Sequence, residues 1–207
     1  MIGIYGGTFN PVHYGHLRTA VEVSEFFDLD ELRLVPCAQP AHRESPQVNA
    51  EFRAQMLQLA IQDIPELSCD QRELKRSGPS YSIDTLASIR SEIGDDTPLL
   101  FFMGTDAFNG LSSWYKWQSL FDYAHIVVMT RPTFQSQTII KFFADRLVSD
   151  KQSLKSCPSG KIYFQQVTQL DISATFIRNT FAEQRTPNFL LPETVIQYIQ
   201  AKQLYEA

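Results

Sequence analysis

The first sixteen residues constrain the fold more than any other stretch. Ile2-Gly3-Ile4-Tyr5 reads as a short apolar strand, Gly6-Gly7-Thr8-Phe9-Asn10-Pro11 as a glycine-led turn, and a helix carrying His13 and His16 follows. A strand that ends in glycine and feeds a helix outlines an anion site. Glycine lets backbone N–H groups come close to the anion, and the helix start adds unpaired N–H groups at its positive end. In an open α/β sheet such a site lies at the carboxyl ends of the strands. The spacing is neither G-x-G-x-x-G nor a P-loop. His13 and His16, three apart, are expected to share one helix face, with Gly15 leaving that face open. A lone histidine at a helix start is ordinarily a cap or a surface residue. A pair directly after Gly-Gly-Thr-Phe-Asn-Pro points to a site.

The chain of 207 residues suits one ordinary domain, and 43% hydrophobic content is enough for a sizeable core. The net charge of −5 argues against general nucleic-acid binding, which needs a basic surface. A small anionic substrate remains compatible, because a local cluster can outweigh the net charge. Cys37, Cys69 and Cys157 are odd in number and far apart, so neither a disulfide framework nor a zinc site follows. No signal segment or membrane-length apolar run is present, which predicts a soluble, reduced, cytoplasmic protein.

Along the chain, Leu17, Ala20, Val21, Ser24 and Phe27 recur at helical spacing, and Leu32 to Pro36 reads as a buried strand. That order predicts a right-handed parallel crossover. The Pro36 to Glu44 loop should put His42 and Arg43 on the rim of the first histidines. Asn49 is expected to cap a helix whose inner face is Phe52, Met56, Leu59 and Ala60. Leu67 to Leu74 reads as a strand, and Ser82 as the cap of the next helix. Leu99 to Met103 is an unbroken apolar run, as a central parallel strand requires. Trp114 to Trp117 is expected to open a helix with one ring facing a ligand. His125 to Thr130 is a further strand, with His125 a satisfied strand-start residue and Arg131 on the functional rim. Residues 133–160 are uninformative beyond a weak helix near Ile139 to Leu147. Lys161 to Val167 is the last strand. Ser173 caps a helix on which Thr175 and Arg178 share a face, a second anion site. Pro192-Glu193 starts the final helix. The fold class is α/β, a doubly wound parallel sheet with a small C-terminal helical portion from about residue 172.

Gly6 to His16 resembles the signature of the HxGH nucleotidyltransferases. More narrowly it is similar to the bacterial nicotinate-nucleotide adenylyltransferases, whose usual run is Gly-Gly-x-Phe-Asp-Pro-x-His-x-Gly-His. Asn10 stands where that run has aspartate, keeping the turn acceptor and losing the charge. The resemblance covers essentially the whole chain and implies a single Rossmann-like nucleotidyltransferase domain. It implies that ATP is held by Gly6, Gly7, Thr8, Phe9, His16, Gly104, Asp106, Arg131, Ile172, Ser173, Thr175 and Arg178. It implies that the mononucleotide is held by Thr8, His42, Arg43, Tyr81, Thr85, Trp114 and Tyr115, with His13, His16 and Arg178 catalytic. The implied reaction joins ATP and nicotinate mononucleotide into nicotinate adenine dinucleotide and pyrophosphate, in NAD biosynthesis. Mg²⁺ is expected to ride on the β- and γ-phosphates, since no carboxylate cage is visible. One rival reading is transfer to another acceptor, nicotinamide mononucleotide or phosphopantetheine. Another is a non-catalytic nucleotide sensor. Trp114-Tyr115 and Tyr81 to Thr85 speak against the first, and intact His13, His16 and Arg178 against the second.

Overall fold

The computed structural model describes residues 1–40, 46, 48–130 and 144–206. His42, Arg43 and Arg131 therefore lie outside the described residues, as does most of the weak helix expected near Ile139. Six parallel strands form one sheet: β1 (Ile2–Gly7), β2 (Glu31–Pro36), β3 (Leu67–Cys69), β4 (Leu99–Gly104), β5 (His125–Thr130) and β6 (Ile162–Gln166). Their order is β3-β2-β1-β4-β5-β6. The chain winds one way from β1 to β3 and then crosses to β4 on the other side of β1. The neighbouring ends of β1 and β4 thus form the topological switch point, where an open α/β sheet binds its ligands.

Both faces of the sheet are buried, as parallel strands demand. Along β4, Leu100 and Phe102 enter one core with Leu17, Phe27 and Met56; Leu99, Phe101 and Met103 enter the other with Leu86, Ile89 and Phe108. Helices α1 (Tyr14–Phe27) and α2 (Ala50–Ile61) serve the first face; α3 (Ser82–Ile93), α4 (Thr105–Asn109) and α5 (Leu120–Tyr123) serve the second. The penultimate helix (Ala174–Ala182) and the last helix (Glu193–Ala201) bury Ile177, Phe181, Val195, Ile196 and Ile199 in the first core. His125 is satisfied as expected: its Nε2 donates to the Cys157 carbonyl at 2.9 Å and its Nδ1 accepts from Lys161 N–H at 3.0 Å.

Four local expectations change. The strand after Leu67 stops at Cys69, because Asp70 Oδ1 accepts the Arg72 N–H at 3.0 Å and turns the chain. The N-cap of α3 is Tyr81, with no side-chain cap, rather than Ser82. Trp114 is extended and Lys116 left-handed, so regular structure resumes only in the short turn Trp117–Ser119. The inner face of α2 centres on Arg53, Met56 and Leu57, while Phe52, Leu59 and Ala60 are half-buried.

Candidate active site

At the end of β1 the backbone turns under tight steric control. A Cβ on Gly7 would stand 2.8 Å from Cζ of Phe9, so only glycine fits beside that ring. Phe9 is buried and takes a positive φ of 46°, an uncommon conformation for an aromatic residue. Its side chain belongs to the core, leaving its backbone for any ligand. The ring meets His16 edge-on, with centroids 5.1 Å apart.

His13 is the residue that precedes α1, and its carbonyl accepts the N–H groups of His16 and Leu17. The two imidazoles lie against each other, centroids 3.8 Å apart and planes 33° apart. The face beside Gly15 is not open: a Cβ there would come 3.0 Å from the His13 ring. Burial pushes His13 down to about 4; burial and then its neighbour push His16 down to about 3. Both are neutral at pH 7, each with one ring N–H to donate. Each Nδ1 is buried without a partner among the described residues. Buried polar atoms are almost always bonded, so the pair has capacity left for a ligand.

This sets a sign for acid stability. Both folded-state values lie below the unfolded 6.5, so between them the unfolded chain binds more protons. The contribution is complete above pH 6.5 and declines as pH falls toward 4. The urea midpoint is expected to drop between pH 7 and pH 5, and to drop less in a His13→Asn, His16→Asn double variant. Equal slopes would refute the assigned neutrality.

The second anion motif abuts the first. Arg178 donates from Nη1 to the Asn10 carbonyl at 2.8 Å and from Nη2 to Thr175 Oγ1 at 3.1 Å. Ile172 O lies 3.6 Å from the position a Gly15 Cβ would take. Ser173 Oγ accepts the Phe176 N–H at 3.1 Å, capping the helix as anticipated.

From there a cleft of about 400 Å³ runs across the β1–β4 ends, lined by Gly6, Gly7, Thr8, Tyr81, Asp106, Trp114 and Tyr115 together with Cys37 and Glu73. Trp114 is half-buried; Tyr115 is more exposed, and its ring centroid is 4.8 Å from that of Tyr81. Gly104 precedes α4, whose first turn carries exposed Asp106. A hollow of about 530 Å³ over Arg33, Asp70, Arg72 and Glu92 is larger. Its charges are spent on one another, with Arg33–Glu92 at 2.8 Å and Arg72–Asp70 at 2.6 Å, and no aromatic ring lines it.

Thr85 does not line the cleft. It is buried, donates to Glu73 Oε1 at 2.6 Å and accepts from Arg76 Nη2, so it orients a carboxylate that does line it. Glu73 has no signal of its own in the sequence, where Leu67 to Leu74 reads as one strand; it reaches the cleft because the strand ends at Cys69. Arg53 was missed too. It is fully buried and donates to the carbonyls of Thr8 (2.6 Å), Cys37 (2.7 Å), Ala38 (3.1 Å) and Val48 (3.2 Å). One guanidinium thereby ties the loops after β1 and β2 together. Its signal was a cation three residues before Met56 on an otherwise apolar helix face. Among the described residues, no group of three His, Cys, Asp or Glu could hold a metal ion. No described helix is long and apolar enough to cross a membrane.

Comparison with known proteins agrees with this geometry. Residues 4–180 match the Cytidylyltransferase-like family. A curated relative from Pseudomonas aeruginosa (strain UCBPP-PA14), named "Probable nicotinate-nucleotide adenylyltransferase", is 48% identical over 209 residues, covering 100% of this chain and 97% of its own. One of the same name from Methylococcus capsulatus is 47% identical, covering 99% of each chain. Among solved structures, Plasmodium falciparum nicotinic acid mononucleotide adenylyltransferase complexed with NaAD superposes with a TM-score of 0.72 at 21% identity, covering 99% of this chain and 96% of that one. At that identity the match speaks for the fold. With both histidines of the opening motif stacked at the start of α1, Arg178 on the Asn10 carbonyl, and near-half identity along the full length, this chain belongs to the nicotinate-nucleotide adenylyltransferases of the cytidylyltransferase-like family.

Proposed function

We propose that the chain transfers the adenylyl group of ATP to nicotinate mononucleotide, giving nicotinate adenine dinucleotide and pyrophosphate in NAD biosynthesis. The observation that carries this reading is the junction of the two anion motifs, Arg178 on the Asn10 carbonyl next to the stacked histidines, in the turn whose Gly6, Gly7 and Thr8 line an aromatic cleft. A phosphate oxygen of the mononucleotide attacks the α-phosphorus of ATP. The new P–O bond forms as the bond to the β-phosphate oxygen breaks, and pyrophosphate leaves. The nucleophile is already an anion, so no covalent enzyme intermediate is needed. Catalysis then consists of positioning and of stabilising charge around the α-phosphate. His13 and His16 donate to phosphate oxygens, and Arg178 and Thr175 hold the triphosphate. Gly6, Gly7 and Thr8 lend backbone N–H groups. A divalent cation such as Mg²⁺ would enter with ATP and would supply charge neutralisation on the leaving pyrophosphate, while Arg178 and Thr175 hold the phosphates from the protein side.

The mononucleotide lies in the cleft, its pyridine ring against Trp114 and Tyr115. The start of α3 supports a preference for the acid over the amide. No side chain caps it, and with the Asp84 N–H on the Tyr81 carbonyl the N–H groups of Ser82 and Ile83 are those left to meet a carboxylate. The test is pyrophosphate release with ATP and a panel of phosphate acceptors. Nicotinate mononucleotide is expected to be used far better than nicotinamide mononucleotide or phosphopantetheine; equal kcat/KM across the panel would sink the assignment.

Trp114→Ala is expected to raise the KM for the mononucleotide and leave that for ATP nearly unchanged. Stacking of a base on an aromatic ring is worth roughly 1–3 kcal/mol, a scale carried over here to a pyridine. A rise in the ATP KM alone would move Trp114 to the other half of the site.

A further inference from the structure

The end of the chain returns to its first motif. Tyr205 donates its hydroxyl to Oδ1 of Asn10 at 2.7 Å, across 195 residues. The main-chain carbonyl of the same Asn10 receives Arg178 Nη1 at 2.8 Å. A side chain from the last helix's tail and a guanidinium from the penultimate helix thus grip one residue of the catalytic turn from two sides. The tail is bent to make this contact. After the last helix, Leu204 N–H bonds back to the Ile199 carbonyl, and Tyr205 takes a positive φ of 64°. That conformation is disfavoured for an aromatic residue and persists where the surroundings hold it. The ring sits 6.3 Å from that of Phe181, and the side chain is half-buried. Burial pushes the hydroxyl's pKa up, against the opposing pull of Arg178 and Arg53, so the group stays protonated and remains a donor.

We infer that Tyr205 is a positioning residue for adenylyl transfer: by holding the Asn10 side chain it fixes the carbonyl on which Arg178 rests, and so the aim of the guanidinium. The inference depends on Arg178 facing the phosphates, as proposed above. It gives a use to the amide at position 10. The amide oxygen accepts from Tyr205 without placing a negative charge beside Arg178.

The test is a double-variant cycle on the full chain, with kcat and the ATP KM read from pyrophosphate release and the melting temperature read alongside. Tyr205→Phe removes one hydrogen bond and nothing else, and is expected to lower kcat/KM for ATP about five- to tenfold. Arg178→Lys loses the planar fork and is expected to lose more. If Tyr205 acts through Arg178, the double variant is no worse than Arg178→Lys alone. Coupled with Trp114→Ala, Tyr205→Phe is expected to multiply independently. Asn10→Leu, which has no acceptor, should reproduce the Tyr205→Phe loss and make Tyr205→Phe silent. Unchanged kcat/KM in Tyr205→Phe overturns the inference. So does a loss that multiplies with Arg178→Lys, or a lowered melting temperature with no coupling. Failure of the wild type to release pyrophosphate with nicotinate mononucleotide would count against the reaction itself. The same cycle is then read on the affinity for α,β-methylene-ATP by calorimetry, where independence of Tyr205 and Arg178 overturns the inference equally.

Discussion

His16→Ala is expected to lower kcat by about 10²–10³, or ~2.7–4 kcal/mol, the loss found when one donor to developing charge is removed. The KM values should change much less. Three features of the ring support a donor role. It lies in the first turn of α1 against His13, its Nδ1 has no partner among the described residues, and burial keeps it neutral. A neutral imidazole keeps one N–H to give and spends no energy losing a proton first. A base role fits worse. A ring held down at about 3 is a weak base in the free protein. The attacking phosphate, with a second pKa near 6, is also largely deprotonated at neutral pH. His16→Asn separates the two, because the amide keeps an N–H group. Partial recovery of kcat in His16→Asn supports the donor; no recovery at all supports the base. Wild-type kcat in His16→Ala would leave the opening motif as a binding turn alone.

The second large effect is on stability. Arg53→Met is expected to destabilise the fold by about 3 kcal/mol, because it strips four carbonyls of a donor whose own side chain is fully buried. For a chain of this size that corresponds to a melting temperature lower by roughly 6–12 °C. Methionine fills much of the volume, so the loss reports the hydrogen bonds more than a cavity. Activity should suffer beyond the stability loss, since Thr8 and the loop at Cys37 and Ala38 lose their common anchor. Arg53→Lys keeps a charge but cannot span four carbonyls with one ammonium, and should fall between. Denaturant unfolding within about 1 kcal/mol of wild type for Arg53→Met would show that the carbonyls find other partners.

Arg90 makes a useful contrast. It too is buried, and among the described residues it donates to carbonyls, those of Gly94, Thr97, Tyr123 and Pro158. These lie at the amino end of the sheet, away from the cleft. The same chemistry supports loops at both ends of the strands, and at the carboxyl end the loops it holds, through Thr8 and Cys37, line the cleft. Position, rather than residue type, separates Arg53 from Arg90.

Local chemistry was enough to read much of this protein from its residues. Strands of unbroken apolar residues declare themselves because both sheet faces must be dry, as β4 and β5 are. Asn49 and Ser173 were legible as caps because a cap is a contact over three residues. The tight turn at Gly7 and the adjacency of His13 and His16 were legible for the same reason: turn, helix start and side-chain face are set within one continuous stretch. The parts that failed are those where distant segments compete with local preference. Ser82 resembles a cap, yet Tyr81 holds that place. Trp114 and Tyr115 read as a helix start and are instead laid along the cleft wall.

Other features have no local signature at all. Thr85 looks like a ligand group until Glu73 and Arg76 take its hydroxyl. Arg53 looks like a solvated charge until the sheet brings four carbonyls around it. The burial that holds His16 neutral comes from packing against Phe9 and His13, not from the spacing alone. Asn10, Arg178 and Tyr205 become neighbours only when the last two described helices close over the first turn. Sequence by itself determined which residues can meet phosphate, because that is a property of short spans and side-chain chemistry. Only tertiary structure decided which polar groups stay open to the cleft and which are held by other residues, as Thr85 is by Glu73 and Arg76, because buried polar groups must find partners wherever the fold supplies them.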